Sequence, residues 1–443
     1  MPQAWLDASI TPVFKKGDKF LAENYRPISI VSIVSKTAER IITENMLPFL
    51  LANGVVPEQP HGFVPGRSVL TNLLPCLDIW TRSLDKKVPV DVLYFDFAKA
   101  FDRVPHRRLI QKLDHFGIRG GLLAWISSFL SNRTFSVKVG DSHSSKRPVL
   151  SGVPQGTVLG PILFLVFIAD LARLLKSNFA LYADDLKIFG NPTINFNLLY
   201  EDLAVISKWS SDWLLPLNTN KCAVLHLGPR NPRLQYAIDG VPITPVDAQN
   251  DLGVIISTNL SWSEHILSVT RRANRLLYMI KKTFPGCSLQ TYVRLYSTYV
   301  RPILEHGGPA WSPVLVRDSA LLESVQRRAT RLAYDVHRPS YEGRLVLSGL
   351  NYFSDRRLRG DLIVTYRALH GLFGVNLDHL FHLNTGQLRG NTLKLRKEQV
   401  ATTVRQVYLS NRVFEAWNSL PENVVSAPSI STFKSRLDRH RGW

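Results

Sequence analysis

The sequence predicts an α+β fold that carries a further helical region, and three observations lead there. Through residues 1–257, apolar positions at helical spacing alternate with short runs rich in β-branched and aromatic residues, the pattern of a mixed α and β unit. Within that unit VDVLYFDF (90–97) and FALYADDLKIFG (179–190) read as strands, one with an acid at its end and the other with an acid pair inside it. From Glu264 onward come stretches such as HILSVTRRANRLLYMIKKTF and LQTYVRLYSTYVRPILE, with apolar residues every three or four positions and arginines between them. These read as amphipathic helices.

With 443 residues, 45% hydrophobic and 20% charged, the chain can bury a sizeable core and divide into roughly two to four domains. The longest apolar run, Ile162 to Ala169, falls far short of the roughly 20 residues that cross a bilayer, so no membrane association is expected. Cys76, Cys222 and Cys287 are widely spaced, which excludes a disulfide framework and argues against a zinc ribbon. The N-terminus has no basic segment followed by an apolar one, so secretion is not expected and an intracellular setting, nuclear or cytoplasmic, fits. The net charge of +19 divides into +5 over residues 1–257 and +14 over residues 258–443, mostly as arginine. A planar guanidinium suits phosphate, and nucleic acid is the obvious polyanion.

The acids narrow the chemistry. Asp96 ends a strand and is followed by the helix-like AKAFD; a hairpin over 179–190 would carry Ala183, Asp184 and Asp185 in its tight turn. Two adjacent carboxylates between core-like strands repel one another and call for a cation, and a hard divalent ion with oxygen ligands is the natural choice. If the two strands pair, Asp96, Asp184 and Asp185 converge and could hold two Mg²⁺, the arrangement for in-line phosphoryl displacement.

FDFAKAFD (95–102), SGVPQGTVLGP (151–161) and YADD (182–185), in this order and spacing, strongly resemble reverse transcriptases, closest to those of non-LTR retrotransposons of the jockey and CR1-like kind. The resemblance spans nearly the whole chain. It implies a right-hand polymerase: a reverse transcriptase domain of fingers and palm over 1–257, a helical thumb over 258–340, and a basic helical C-terminal region over 341–443. Fingers would come from about 1–82 and 106–148, and the palm from 83–105 and 149–257, as a small antiparallel sheet with helices on one face. The activity implied is RNA-directed DNA polymerisation with two Mg²⁺ ions, Mn²⁺ being the substitute, on an RNA template with a DNA primer and dNTPs; oligomeric state stays open.

Residue by residue, the resemblance makes Asp96, Asp184 and Asp185 the metal ligands and Asp102 a structural hydrogen-bonding residue. Phe101 would be the steric gate against a ribose 2′-hydroxyl. Gln155 would lie against the incoming nucleotide, with Gly156 letting backbone approach it closely. PVFKKGD (12–18) and NYRPISI (24–30) resemble a fingers ribbon in which Lys15, Lys16 and Arg26 hold the triphosphate, and PHGFVPGRSVLTNLL (60–74) a further fingers block with Gly66 and Arg67 near template backbone. Lys221, in LNTNKCAVLHLG (217–228), would protonate the leaving pyrophosphate, and DLGVIIS (251–257) resembles the primer-gripping segment. Elements of this kind carry an endonuclease before the polymerase, and none precedes PQAWLDASITPVF, which suggests an N-terminally truncated copy. The alternative reading is a catalytically inactive nucleic-acid-binding remnant. An RNA polymerase of the same palm type is disfavoured by Phe101 and YADD.

Overall fold

The structure is a computed structural model and describes every residue except 16, 58, 60, 333, 335–338 and 385–390. After a one-turn helix at Gln3–Leu6 come strands β1 (Asp7–Phe14) and β2 (Tyr25–Ile30), an antiparallel ribbon pairing Ser9 with Ile30 through Phe14 with Tyr25. Helices α1 (Ile33–Ala52) and α2 (Val69–Asp85) follow. α2 begins at a capping box: the Ser68 hydroxyl accepts from the Thr71 amide while the Thr71 hydroxyl accepts from the Ser68 amide, so two otherwise unpaired amides are satisfied. Next comes β3 (Val90–Phe95), and later β4 (Thr134–Val139), which returns to pair in parallel with β1.

Helix α3 (Leu159–Ile168) is apolar all round and buried at every residue except Pro161. Its N-terminal amides are satisfied from a distance: the buried Glu39 carboxylate, on α1, accepts from Val158 at 2.8 Å and Leu159 at 3.0 Å. Strands β5 (Asn178–Tyr182) and β6 (Asp185–Gly190) form a hairpin, followed by α4 (Phe196–Asp212), β7 (Ala223–Leu227) and β8 (Thr244–Val246). These strands and β3 make a five-stranded sheet in the order β8-β7-β3-β6-β5, antiparallel except for the β7–β8 edge. A separate hairpin, β9 (Ala248–Asp251) and β10 (Val254–Ser257), leads into the helices α5 (Ser263–Thr283), α6 (Val316–Ala329), α7 (Phe353–Leu369) and α8 (Ile430–Arg441).

The sheet is covered on both faces, not on the one face expected. The reason is β3, whose residues are buried on both faces, five of the six being apolar and the sixth, Asp91, a buried acid. Val90, Val92 and Tyr94 face a core that holds Leu73, Leu77 and Trp80 of α2 and continues through Ile266 and Leu277 of α5 to Tyr366, Trp417 and Phe433. Leu93 and Phe95 face a second core with Leu163, Phe164 and Phe167 of α3 and Ile206 and Trp209 of α4. The C-terminal region is therefore continuous in packing with the central sheet. It is also clasped to α2: Arg405, fully buried, bonds Asp78 at 2.8 Å, Glu398 at 2.7 Å and Thr81 at 2.9 Å, and the Tyr408 hydroxyl donates to the Leu74 carbonyl. Among the described residues no helix is long and apolar enough to cross a membrane.

Because Glu39 serves buried amides that have no other acceptor, Glu39→Ala is expected to cost about 2–3 kcal/mol, and Glu39→Gln less, since one acceptor oxygen remains. Urea unfolding midpoints of the two variants check this.

Candidate active site

The sheet register builds the site. β3 and β6 pair Asp91 with Gly190 through Tyr94 with Lys187 and Phe95 with Leu186, where the ladder ends, so Asp96, the next residue, emerges at the same end of the sheet as Asp185. Directly opposed residues share a face, and Asp185 and Lys187, two apart on one strand, share it too. The β5–β6 turn is shorter than the sequence suggests. Tyr182 pairs with Asp185, so the loop is Ala183 and Asp184 alone, and Asp185 already belongs to the return strand. Ala183 takes the left-handed φ of +55° that this turn needs. The segment at 61–62 presses on the hairpin. The His61 amide donates to the Leu181 carbonyl at 2.8 Å, and a Cβ on Gly62 would stand 2.6 Å from the Ala183 nitrogen.

Asp96 and Asp185 share a cavity of about 350 Å³ with Lys15, Lys221, Tyr94, Lys187 and the Gln249–Leu252 edge. Lys221 sits in the short turn before β7, and its Nζ lies 2.8 Å from Asp96 Oδ2. The backbone holds the two together, because the Asn218 amide donates to the Asp96 carbonyl at 2.7 Å. Asp184, in the turn, does not line this cavity. Burial pushes its carboxyl above the ordinary range, Asp96 adds to the rise, and Lys15 and Arg26 oppose it. Asp185 keeps exposed surface, yet the surrounding protein pushes it up to about 6, with Asp184, Asp251 and Asp96 adding repulsion. Among the described residues no three His, Cys, Asp or Glu side chains close on one point as a metal cage.

The remaining residues singled out from sequence are placed elsewhere. Arg26 lies on β2 opposite Val13, and Lys16 is outside the described residues. Gln155 donates from Nε2 to Asp102 Oδ1 at 2.9 Å, and its carbonyl accepts from the Ser29 amide at 2.8 Å. Gly156 has φ +102°, and a Cβ there would meet the Ser29 carbonyl at 2.4 Å, so β2 itself occupies the space that the glycine leaves open. Phe101 stacks on Phe164 with ring centroids 4.4 Å apart and meets Phe63 edge-on at 5.9 Å. None of Arg26, Phe101, Gln155 and Gly156 lines the Asp96–Asp185 cavity. Gly66 and Arg67 contact the chain itself: a Cβ on Gly66 would stand 2.7 Å from the Gly374 nitrogen, and Arg67 donates to the carbonyls of Pro57 and Gly374. Sequence reasoning missed Tyr94, Lys187 and Asn72 in the cavity wall, and it marked Asp251 only as the first residue of the 251–257 block, with no partner named for it. Period two along β6 could have found Lys187.

A strand-end acid, an acid hairpin beside it and lysines around both thus meet at one end of the central sheet. Residues 13–263 match the family described as "Reverse transcriptase (RNA-dependent DNA polymerase)", and the chain belongs to that family. It is 28% identical over 360 residues to the probable RNA-directed DNA polymerase from transposon BS of Drosophila melanogaster, covering 75% of this chain and 39% of that protein. It is 30% identical over 321 residues to the RNA-directed DNA polymerase from mobile element jockey of Drosophila funebris, covering 68% of this chain and 34% of that protein. The jockey-like resemblance drawn from the motifs is therefore upheld, and the chain spans less than two fifths of the length of these relatives.

Asp185 supplies a test. Its folded-state value of about 6 exceeds its ordinary 3.8, so the folded protein holds a proton that the unfolded chain releases, and stability falls as pH rises from about 4 to about 6. In chelator at pH 7, Asp185→Asn should be more stable than the parent by about 1 kcal/mol, discounted for the solvent that reaches this carboxylate. The difference should vanish below pH 4 in denaturant titrations.

Proposed function

We propose that this chain is an RNA-directed DNA polymerase of a retrotransposon, extending a DNA primer along an RNA template from dNTPs. The observation that carries the reading is the cavity shared by Asp96 and Asp185 at the ends of adjacent strands, with Asp184 in the turn and Lys15, Arg26 and Lys221 supplying positive charge around them. The proposed organisation is a fingers and palm unit over 1–257, a thumb over 258–340 and a basic helical region over 341–443.

The donor set fits a hard divalent cation. Asp96 and Asp185 share one cavity and Asp184 is the chain neighbour of Asp185, burial and repulsion raise Asp184 and Asp185, and all the candidate ligand atoms are oxygens. Asp96, Asp184 and Asp185 would hold two Mg²⁺ ions, or Mn²⁺, which when bound make the primer hydroxyl more acidic and offset phosphate charge. In the reaction the primer 3′-oxygen forms a bond to the α-phosphorus, the bond from that phosphorus to the bridging oxygen breaks, and pyrophosphate leaves. Lys221, whose Nζ lies 2.8 Å from Asp96 Oδ2, would give its proton to the departing oxygen. Lys15 and Arg26, on and beside the β1–β2 ribbon, supply cationic charge for the triphosphate. Phe101, wedged between Phe63 and Phe164, is a rigid ring suited to excluding a 2′-hydroxyl. The second reading, an inactive nucleic-acid binder, draws on the lack of a closed three-ligand cage among the described residues.

Primer extension on an RNA template with dNTPs and Mg²⁺ separates the two. The parent should extend, and the Asp184→Asn, Asp185→Asn double variant should bind the hybrid without extending it. Salt-sensitive binding with no incorporation by either protein supports the second reading. Phe101→Ala should raise ribonucleotide incorporation relative to deoxynucleotide by about 10-fold or more, and an unchanged ratio in competition assays removes the gate.

A further inference from the structure

The central sheet has a second cavity, at the end away from the acid pair. Asp91, near the start of β3, lies about 16 Å from Asp96 along the strand, and it pairs across the sheet with His226 of β7. The Asp91 carboxylate is completely buried and takes three donors, His226 Nδ1–H, Asn231 Nδ2 and the Tyr236 hydroxyl, each at 2.7 Å. Burial and the Asp91 charge push the Tyr236 hydroxyl well up, so it stays a donor. His226 is only 6% exposed, and with Nδ1 bonded to Asp91 its Nε2 has no protein partner among the described residues. That nitrogen is not sealed in, because His226 forms part of the wall of a cavity of about 520 Å³ beside β7, β8 and the 233–236 segment. The size is that of a small-molecule site. No residue lines both this cavity and the one that holds Asp96 and Asp185.

Tying the 231–236 loop to the sheet requires Asp91 and its three donors; it requires neither an open imidazole nitrogen nor a cavity beside it. Val224, Ile243 and Val246 make apolar wall, and Arg233 and Asp247 are exposed at the rim. Among the described residues no side chain or carbonyl is bonded to the Arg233 guanidinium or the Asp247 carboxylate. Arg233 also holds a left-handed φ of +53°, costly for a residue with a Cβ, with its amide bonded to Asn231 Oδ1 at 2.8 Å. We propose that this cavity binds one nucleotide whose base carries an exocyclic amine, with the base against the apolar wall, its edge on His226 and Asp247, and its phosphate on Arg233. The class follows from the chemistry of the three polar groups. A carboxylate accepts from an amine and not from a carbonyl edge, an imidazole with its proton on Nδ1 offers a lone pair at Nε2, and a guanidinium forks onto phosphate oxygens. Adenine, cytosine and guanine carry such an amine, and uracil does not. A free nucleotide and one unpaired residue of a single strand present the same groups. Occupancy of this site does not require the polymerase reading.

The test is calorimetric titration of the full chain with adenosine 5′-monophosphate in EDTA, so that no metal-bound nucleotide forms at the acid pair. The parent should bind one equivalent with a Kd below about 1 mM, and uridine 5′-monophosphate at least about 10-fold more weakly. Arg233→Ala should weaken adenosine 5′-monophosphate by about 10-fold and leave adenosine, which has no phosphate, within about 2-fold of the parent. Asp247→Ala should weaken both ligands by about 5-fold or more. Both substitutions fall at exposed positions, so folding is not at stake. Absence of binding by the parent, equal affinity for uridine 5′-monophosphate, or an affinity that both variants leave unchanged overturns the proposal. Inorganic phosphate binding as tightly as the nucleotide overturns it too, since the cavity then holds only an anion. Competition with single-stranded oligoadenylate separates the two sources. Displacement at lower nucleotide concentration supports the site as one for an unpaired residue of a strand, and no displacement supports it as one for the free nucleotide.

Discussion

The backbone pairing between β3 and β6 is the constraint from which the rest of the site follows. Five residue pairs join these strands, and a slip of one residue would turn Asp185 and Lys187 to the opposite face of the sheet. The slip is prevented because both faces are filled: Val92 and Phe189 pack toward Trp80, and Leu93 and Ile188 pack toward the α3 side. The same register forces two carboxylates side by side, which is electrostatically costly. Lys221 on Asp96 and the charge of Lys15 and Arg26 near Asp184 partly offset that cost. The packing is therefore what holds an unfavourable charge arrangement in place, and that arrangement is what makes the site attractive to a divalent cation.

Around this register the structure adds a set of long-range ties. Glu39 on α1 satisfies the amides that begin α3, and the Ser29 amide bonds the Gln155 carbonyl, so the ribbon and first helix are anchored to the glycine-rich loop. That loop is in turn bonded along residues 101–104, through the Gly152 and Val153 amides and the Gln155 side chain. On the other face α2 lies between the central strand and the C-terminal region, with Arg405 and Tyr408 bonded to it. The helix next to the acid pair is thereby supported from behind by residues more than 300 positions away in sequence. The C-terminal region is part of the scaffold of the site, sharing its core with the sheet.

Several sequence expectations met a different partner from the one foreseen. Gly156 is a glycine because the Ser29 carbonyl occupies the space of its Cβ, and Gly66 because residue 374 does. Both positions were legible as demanding glycine, but the object pressing on them was not. His61 anchors a segment against the β5–β6 hairpin through its backbone, while its ring, bonded to Thr71, is pushed down to about 3 by burial. Helices on both sheet faces follow from the near-continuous apolar run of β3, a feature visible in the sequence.

By itself the sequence determined the α+β class, the strands that carry Asp96 and the acid pair, the helical character after residue 260, and membership of the reverse transcriptase family. These rest on local periodicity, turn chemistry and short motifs, all of which are written within a few residues of each other. The tertiary structure alone decided which carboxylates share a cavity, that Lys221 rests on Asp96, that Glu39 caps α3, and that Asp251 meets Lys187. Each of those contacts joins groups 64 to 125 residues apart, a separation at which no local pattern reports on the partner. Only closure of the two cores around β3 brings them within bonding distance.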